Sequence, residues 1–269
     1  MSALERIGIG RTAEVFAYDD GRILKLLRPG FPEQMVEEEA EVARIVDLAG
    51  LAAPHFFGTV TLDGRPGLVY ERIHGRVMLD QLTSRPWRSD HLAKQFAALH
   101  ASTHDTAAAG LPAAKDGYRR AIGRATGILG TQRAAAALKR IDALHDGSSL
   151  SHGDMHPGNV MMAGSGPVVI DWMTARSGPA EADVARTLFL LAGSNVPGTY
   201  PRIQRAVIGA VRRRFASVYL SAYRRLRRVD IEQLEAWRLP VLAARLAEGI
   251  EAENDMLLTR IDAELAIER

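Results

Sequence analysis

Ser151-His152-Gly153-Asp154-Met155-His156-Pro157-Gly158-Asn159-Val160 is followed, after six residues, by Pro167-Val168-Val169-Ile170-Asp171-Trp172. Three side chains in these two pieces suit one chemistry. Transfer of a phosphoryl group from a nucleoside triphosphate needs a carboxylate to orient the attacking hydroxyl and accept its proton. It also needs oxygen ligands for magnesium, which prefers carboxylate and amide oxygens and keeps several waters. Asp154 can serve as the base. Asn159, five residues on, can turn back through the Pro157-Gly158 loop to offer an amide oxygen. Asp171 ends the apolar run Val168-Val169-Ile170, which puts a carboxylate at the edge of a buried strand.

The rest of the chain gives this segment a setting. Leu4 to Ile9, Glu14 to Tyr18 and Arg22 to Leu27 read as strands, the second and third joined at the turn Asp19-Asp20-Gly21. A helix runs from Pro32 to about Ala49 and stops at Gly50, with proline near its start and glycine after its end. Phe56 to Leu62 and Gly67 to Arg72 form a hairpin around Asp63-Gly64. The expectation is a five-stranded, mostly antiparallel sheet with one helix after its third strand. Beyond Gly75 apolar residues recur at helical spacing, interrupted by the strand-like island of Ser149 to Asp171. Helices follow near 180–193, 200–227, 230–248 and 251–266.

His-Gly-Asp-x-x-x-x-Asn followed by Ile-Asp-Trp resembles the aminoglycoside phosphotransferase and choline kinase group of the protein-kinase-like superfamily. The Asp-to-Asn spacing equals that of the kinase catalytic loop. The resemblance implies an α+β, bilobal kinase-like fold, with residues 1–74 as a nucleotide-binding lobe and 75–269 as a helical catalytic and substrate lobe. It implies ATP, with GTP as an alternative, and Mg2+ as cofactors. Asp154 becomes the catalytic base and Asn159 and Asp171 the metal ligands. His152 braces the loop, and His156 stands near the transferred phosphate. The implied acceptor is a small molecule bearing a hydroxyl.

The first lobe carries parts for a nucleotide. Gly8-Ile9-Gly10-Arg11-Thr12-Ala13 lies between two strands, where glycine lets backbone amides approach phosphates. Alone, two glycines in a turn make an ordinary hairpin, and Ala13 stands where a full kinase loop has its last glycine. Lys25 shares a strand face with Ile23 and Leu27 and is costly to bury without a partner. The resemblance supplies one, a glutamate on the next helix. Val36, Ala43 and Val46 place Glu39 inward, Glu39-Ala40 matches the family's usual pattern, and Val42 with Ile45 leave Glu38 open. The segment Leu68 to Gly75 resembles the family's hinge, so the carbonyl of Glu71 and the amide of Ile73 are the nucleobase contacts it implies. Asp183 and His100 read as structural, Asp183 fastening the catalytic loop through backbone amides.

Composition excludes several alternatives. The chain has 269 residues, 47% hydrophobic, 25% charged, with no cysteine and a formal net charge of +2. A disulfide framework or thiolate metal site is ruled out. The opening MSALERIGIG lacks the pattern of an export signal, and no apolar run reaches the roughly 20 residues of a membrane span, so a cytoplasmic chain without membrane partners is expected. Arg212 through Arg228 is a basic run, but Val211, Phe215, Val218, Ala222 and Leu226 recur at helical spacing, so a helix with a solvated basic flank is expected rather than a nucleic-acid surface. Glu248, Glu251, Glu253 and Asp255 form an acidic stretch that suits either a cationic substrate or a solvated helix face. A protein kinase is disfavoured by Gly153 in place of the arginine of His-Arg-Asp, by Trp172 and by the absence of Ala-Pro-Glu. A silent nucleotide-binding scaffold is the remaining rival.

Overall fold

The computed structural model describes residues 4–10, 12–194 and 200–267. In chain order the elements are β1 (Arg6–Ile9), β2 (Ala13–Ala17), β3 (Arg22–Leu27), α1 (Gln34–Leu48), β4 (Phe56–Leu62), β5 (Arg65–Glu71), β6 (Gly75–Val77), α2 (Met78–Ser84), α3 (Ser89–His104), α4 (Ala114–Leu129) and α5 (Thr131–Ala143). They continue with β7 (Ser149–Ser151), β8 (Val160–Ala163), β9 (Gly166–Val169), β10 (Arg176–Gly178), α6 (Ala180–Leu188), α7 (Arg202–Leu226), α8 (Ile231–Ala236), α9 (Arg238–Arg245) and α10 (Asn254–Ala266). A π-helical turn, Phe189–Gly193, extends α6.

Contacts divide the chain into Met1–Gln81 with Pro157–Thr174, and Leu82–His156 with Ala175–Arg269. This differs from a single cut at residue 74 because β8 pairs with β6, immediately after the first sheet, and carries β9 with it.

In the first unit five strands lie in the order β1-β2-β3-β5-β4, every neighbour antiparallel. The β4–β5 turn has Asp63 and Gly64 both at positive φ, 51° and 73°. That is the two-residue hairpin geometry an Asp-Gly pair favours. Strand alternation splits β3 between two cores. Leu27 packs with Val36, Ala40, Ala43, Phe56 and Leu68 beneath α1; Leu24 and Leu26 pack with Val69 on the other face. Burying each such side chain contributes about 1.5–3 kcal/mol, so α1 is held by its apolar stripe and not by caps, of which its N-terminus has none through a side chain.

The second unit is helical except for the β7–β10 pair. Its central seam joins α3 to α7: Phe96, His100 and His104 meet Phe215, Tyr219 and Tyr223 in the same order, each series spaced by four residues. The buried stripe of α7 is therefore Phe215, Ala216, Tyr219 and Tyr223, while Leu226, expected within it, is 58% exposed. The tyrosines displace the aliphatic stripe because their hydroxyls find buried partners in α3. The helix expected over 230–248 is instead α8, α9 and a 3-10 turn. Pro240 lacks the N–H that Ala236 would need in a continuous helix, and it is tolerated in the first turn of a new one.

Candidate active site

In the first unit β3 presents Lys25 on the α1 side of the sheet. Its Nζ lies 2.8 Å from Glu39 Oε1 and 3.0 Å from Asp171 Oδ1. Glu39 is buried on α1 and also accepts from the Tyr70 hydroxyl at 3.2 Å. Glu38 faces outward and pairs with Gln34. Burial pushes the Lys25 ammonium down, but the Glu39 and Asp171 charges outweigh it and hold the group above its ordinary value. Burial also raises the Tyr70 hydroxyl, with the Glu39 charge adding to it, so it stays a donor.

Asn159 and Asp171 flank the same end of the β8–β9 hairpin. Val160 pairs with Val169, and the Ile170 amide donates to the Asn159 carbonyl at 2.9 Å. Asp171 takes φ of +64°, a sparsely populated region for a residue with a side chain. The Trp172 indole N–H donates to the Val169 carbonyl at 2.9 Å and fastens the chain beyond it. Asn159 is buried, while the Asp171 side chain is 44% exposed. An amide and a carboxylate oxygen at one hairpin end are donors of the kind magnesium takes.

The remaining first-unit candidates lie in the β1–β2 hairpin and at the end of β5. Gly8 pairs with Val15 inside the ladder, the Gly10 amide closes on the Ala13 carbonyl at 2.7 Å, and the Thr12 carbonyl accepts from the Arg28 amide. Arg11 lies outside the described residues. Glu71 ends β5, where its amide donates to the His55 carbonyl and its carboxylate accepts from the His55 amide. Ile73 follows in the connection to β6.

The second unit contributes Asp154. Gly153 before it adopts φ of +80°, which a side chain would strain. The Gly153 amide donates to Asp183 Oδ1 at 3.0 Å, and the His152 amide donates to Asp183 Oδ2 at 2.6 Å. The Asp154 amide donates to His152 Nδ1 at 3.2 Å. His156 Nε2 stands 3.5 Å from one Asp154 carboxylate oxygen and Arg186 Nη2 3.4 Å from the other. Burial pushes the Asp154 carboxyl up, but the His156 hydrogen bond and the charges of Arg186, His156 and His152 outweigh it and hold it at about 2. The carboxylate is thus ionised and oriented across the ordinary pH range.

Arg186 was not evident from sequence. It is largely buried on α6, its side chain 11% exposed, and joins Asp154 to Glu248, 2.6 Å away. Glu248 also pairs with Arg245, which holds Glu253 at 2.8 Å. Two carboxylates of the acidic stretch are therefore neutralised by arginine. Their signal lay in spacing: Arg245 stands three residues before Glu248 and eight before Glu253.

Beneath the loop, Asp183 Oδ2 receives His100 Nε2 at 3.1 Å and His104 Nε2 at 3.3 Å. Their Nδ1 atoms face the hydroxyls of Tyr219 at 2.8 Å and Tyr223 at 2.5 Å. An ionised carboxylate only accepts, so each Nε2 carries the proton and each Nδ1 accepts from a tyrosine. Two imidazoles and a carboxylate this close have the makings of a metal site, but the protons are already fully distributed among these groups. His104 is held down at about 4, by burial first and by the neighbouring His100 second.

The sequence signature described as the Phosphotransferase enzyme family matches residues 3–228. The chain belongs to that family. No curated protein matches it. Among solved structures it is similar to an aminoglycoside-3'-phosphotransferase of type VIII, with a TM-score of 0.62 and 19% identity over 88% of this chain and 91% of the other. A choline/ethanolamine kinase family protein from Mesorhizobium loti gives a TM-score of 0.64 at 15% identity, over 98% and 88%. A 2''-phosphotransferase in complex with GDP and kanamycin gives 0.57 at 14%, over 100% and 95%. The family member described here has the protein-kinase-like fold, α+β in class.

Proposed function

We propose that the chain is a small-molecule kinase that moves the γ-phosphoryl group of Mg-ATP, or GTP, to a hydroxyl of a small acceptor. The observation that carries this reading is the ion triad Lys25–Glu39–Asp171. Two carboxylates from different elements hold one largely buried ammonium, an arrangement costly to keep for stability alone and suited to gripping phosphates.

Each residue then has a task. Lys25, oriented by Glu39 and Tyr70, holds the non-transferred phosphates. The Gly8–Thr12 segment borders the phosphates, with the Gly10 amide already closing the turn on Ala13, and the backbone of Glu71 and Ile73 contacts the base. Asn159 and Asp171 would hold Mg2+, which when bound screens the phosphate charge. Asp154 accepts a hydrogen bond from the acceptor hydroxyl. The new bond joins that oxygen to the γ-phosphorus, the bond from the γ-phosphorus to the β,γ-bridging oxygen breaks, the nucleoside diphosphate leaves, and Asp154 takes the hydroxyl proton. A carboxyl held at about 2 is a weak base, so its main contribution is orientation, with proton uptake late in the step. His156 stands beside Asp154 to steady the transferred group.

The test is diphosphate release with Mg-ATP and with Mg-GTP across a panel of hydroxyl-bearing acceptors, run beside Asp154→Asn. Acceptor-dependent release by the wild type alone supports the reading. Absence of both release and magnesium-dependent nucleotide binding would remove it, and binding without release from any acceptor would favour a silent scaffold.

A further inference from the structure

A second site stands apart from these residues. Where α6 passes through its π turn toward Ser194, a cavity of about 640 Å³ opens in the second unit. Five arginines line it: Arg202, Arg205, Arg212 and Arg213 from α7, and Arg260 from α10. No carboxylate is among the described residues of its wall. Elsewhere on the same helix Arg214 has found Asp90, whereas the described wall of the cavity offers its arginines no such partner.

The guanidinium of Arg212 is fixed in place. It donates to the carbonyls of Leu191 at 2.7 Å and Leu190 at 2.9 Å and to Ser194 Oγ at 2.5 Å. Arg260 donates to the Gly193 carbonyl at 3.0 Å. The π turn thus supplies carbonyls that anchor two cations from different helices in positions an ion pair would normally need to hold. Burial draws the Arg212 guanidinium below its ordinary value, with only the Glu253 charge acting against it. Like charges crowded without a counter-ion repel one another, and a bound anion relieves this while accepting forked hydrogen bonds.

Charges nearby point the same way. Glu248 and Glu253, the carboxylates that could have drawn in a polycation, are taken up by Arg186 and Arg245. We infer that the arginine-lined cavity binds a small anionic molecule through its phosphate or carboxylate groups. Two sources share this chemistry: the anionic portion of the acceptor, or a separate effector.

Calorimetric titration of the full chain with citrate and with pyrophosphate, in magnesium-free buffer, tests the inference. The comparison proteins are the double variant Arg205→Ala/Arg213→Ala, which alters two exposed side chains, and Lys25→Ala. The expected result is saturable one-to-one binding that weakens with salt, falls at least about tenfold in the double variant, and persists in Lys25→Ala. No saturable binding, or a loss confined to Lys25→Ala, would overturn it. Binding stands independently of the phosphotransfer reading, which would fail by a different sign, the absence of turnover. With an acceptor in hand, a KM raised by the double variant only for anionic acceptors identifies the acceptor as the source. A kcat response to added citrate, lost in that variant, identifies an effector.

Discussion

Asp154 and Arg186 form the pair on which residue-level behaviour depends most. Asp154→Asn keeps the shape and loses the charge, so kcat is expected to fall by about 10²–10⁴-fold with nucleotide binding retained; steady-state turnover beside a binding titration measures both. Arg186→Gln removes one of the charges that hold the Asp154 carboxyl at about 2. Burial then meets less opposition, with the His156 hydrogen bond and the His156 and His152 charges still acting against it, and the carboxyl titrates at higher pH. A depressed carboxyl contributes its charge above its own pKa and loses it as pH falls through that value, so the acid limb of the kcat profile is expected to move to higher pH in the variant. A profile that superimposes on wild type would contradict the link between these two residues. Lys25 and Asp154 were legible in sequence because each breaks a local pattern, a lysine in an apolar strand and a carboxylate in a fixed-spacing loop. Arg186 was not, since one arginine on a helix in an arginine-rich chain reads as solvated until its burial is known.

The α3–α7 seam decides what the elements do with pH. His104 is neutral in the folded chain, held at about 4, and has an ordinary value near 6.5 when unfolded. Its contribution is therefore complete above pH ~6.5 and is lost as pH falls toward 4, about 3 kcal/mol over that window by proton linkage. Urea midpoints are expected to drop between pH 7 and 4.5, and less steeply in His104→Gln, which keeps a donor for Asp183 without the titration. Equal slopes would exclude His104 as the source. The strands and α1 followed from periodicity and turn residues, but apolar spacing left Glu38 open beside Glu39, and the family pattern of Glu39-Ala40 favoured the one that α1 buries. The buried face of α7 did not, because hydropathy ranks Leu226 above Tyr223, whereas a tyrosine with a buried hydrogen-bond partner packs deeper than an unpartnered leucine. The break at Pro240 was written in the sequence, but apolar spacing ran through it.

At the scale of the whole molecule, the chain passes between its two units three times, after Gln81, His156 and Thr174. The first unit is consequently incomplete without residues 157–174, which supply Asp171 to Lys25 and β8 to β6. A fragment ending at Gln81 leaves Lys25 with only Glu39 and is expected to lack the single cooperative melt of the full chain; circular dichroism on heating compares the two. Sequence placed this hairpin with the helical residues around it, since strand partners far apart in the chain leave no periodic trace. The arginine cavity was likewise hidden, because its members lie in α7 and α10, 47 residues apart between Arg213 and Arg260. Asp183 has a last consequence, in the time domain. Loop amides ordinarily trade their hydrogens with water quickly, yet those of His152 and Gly153 are clasped by a carboxylate with no exposed surface. Isotope exchange should find these two amides as slow as the interior of α3, and Asp183→Asn should release them by orders of magnitude. The loop that holds Asp154 keeps the clock of the core.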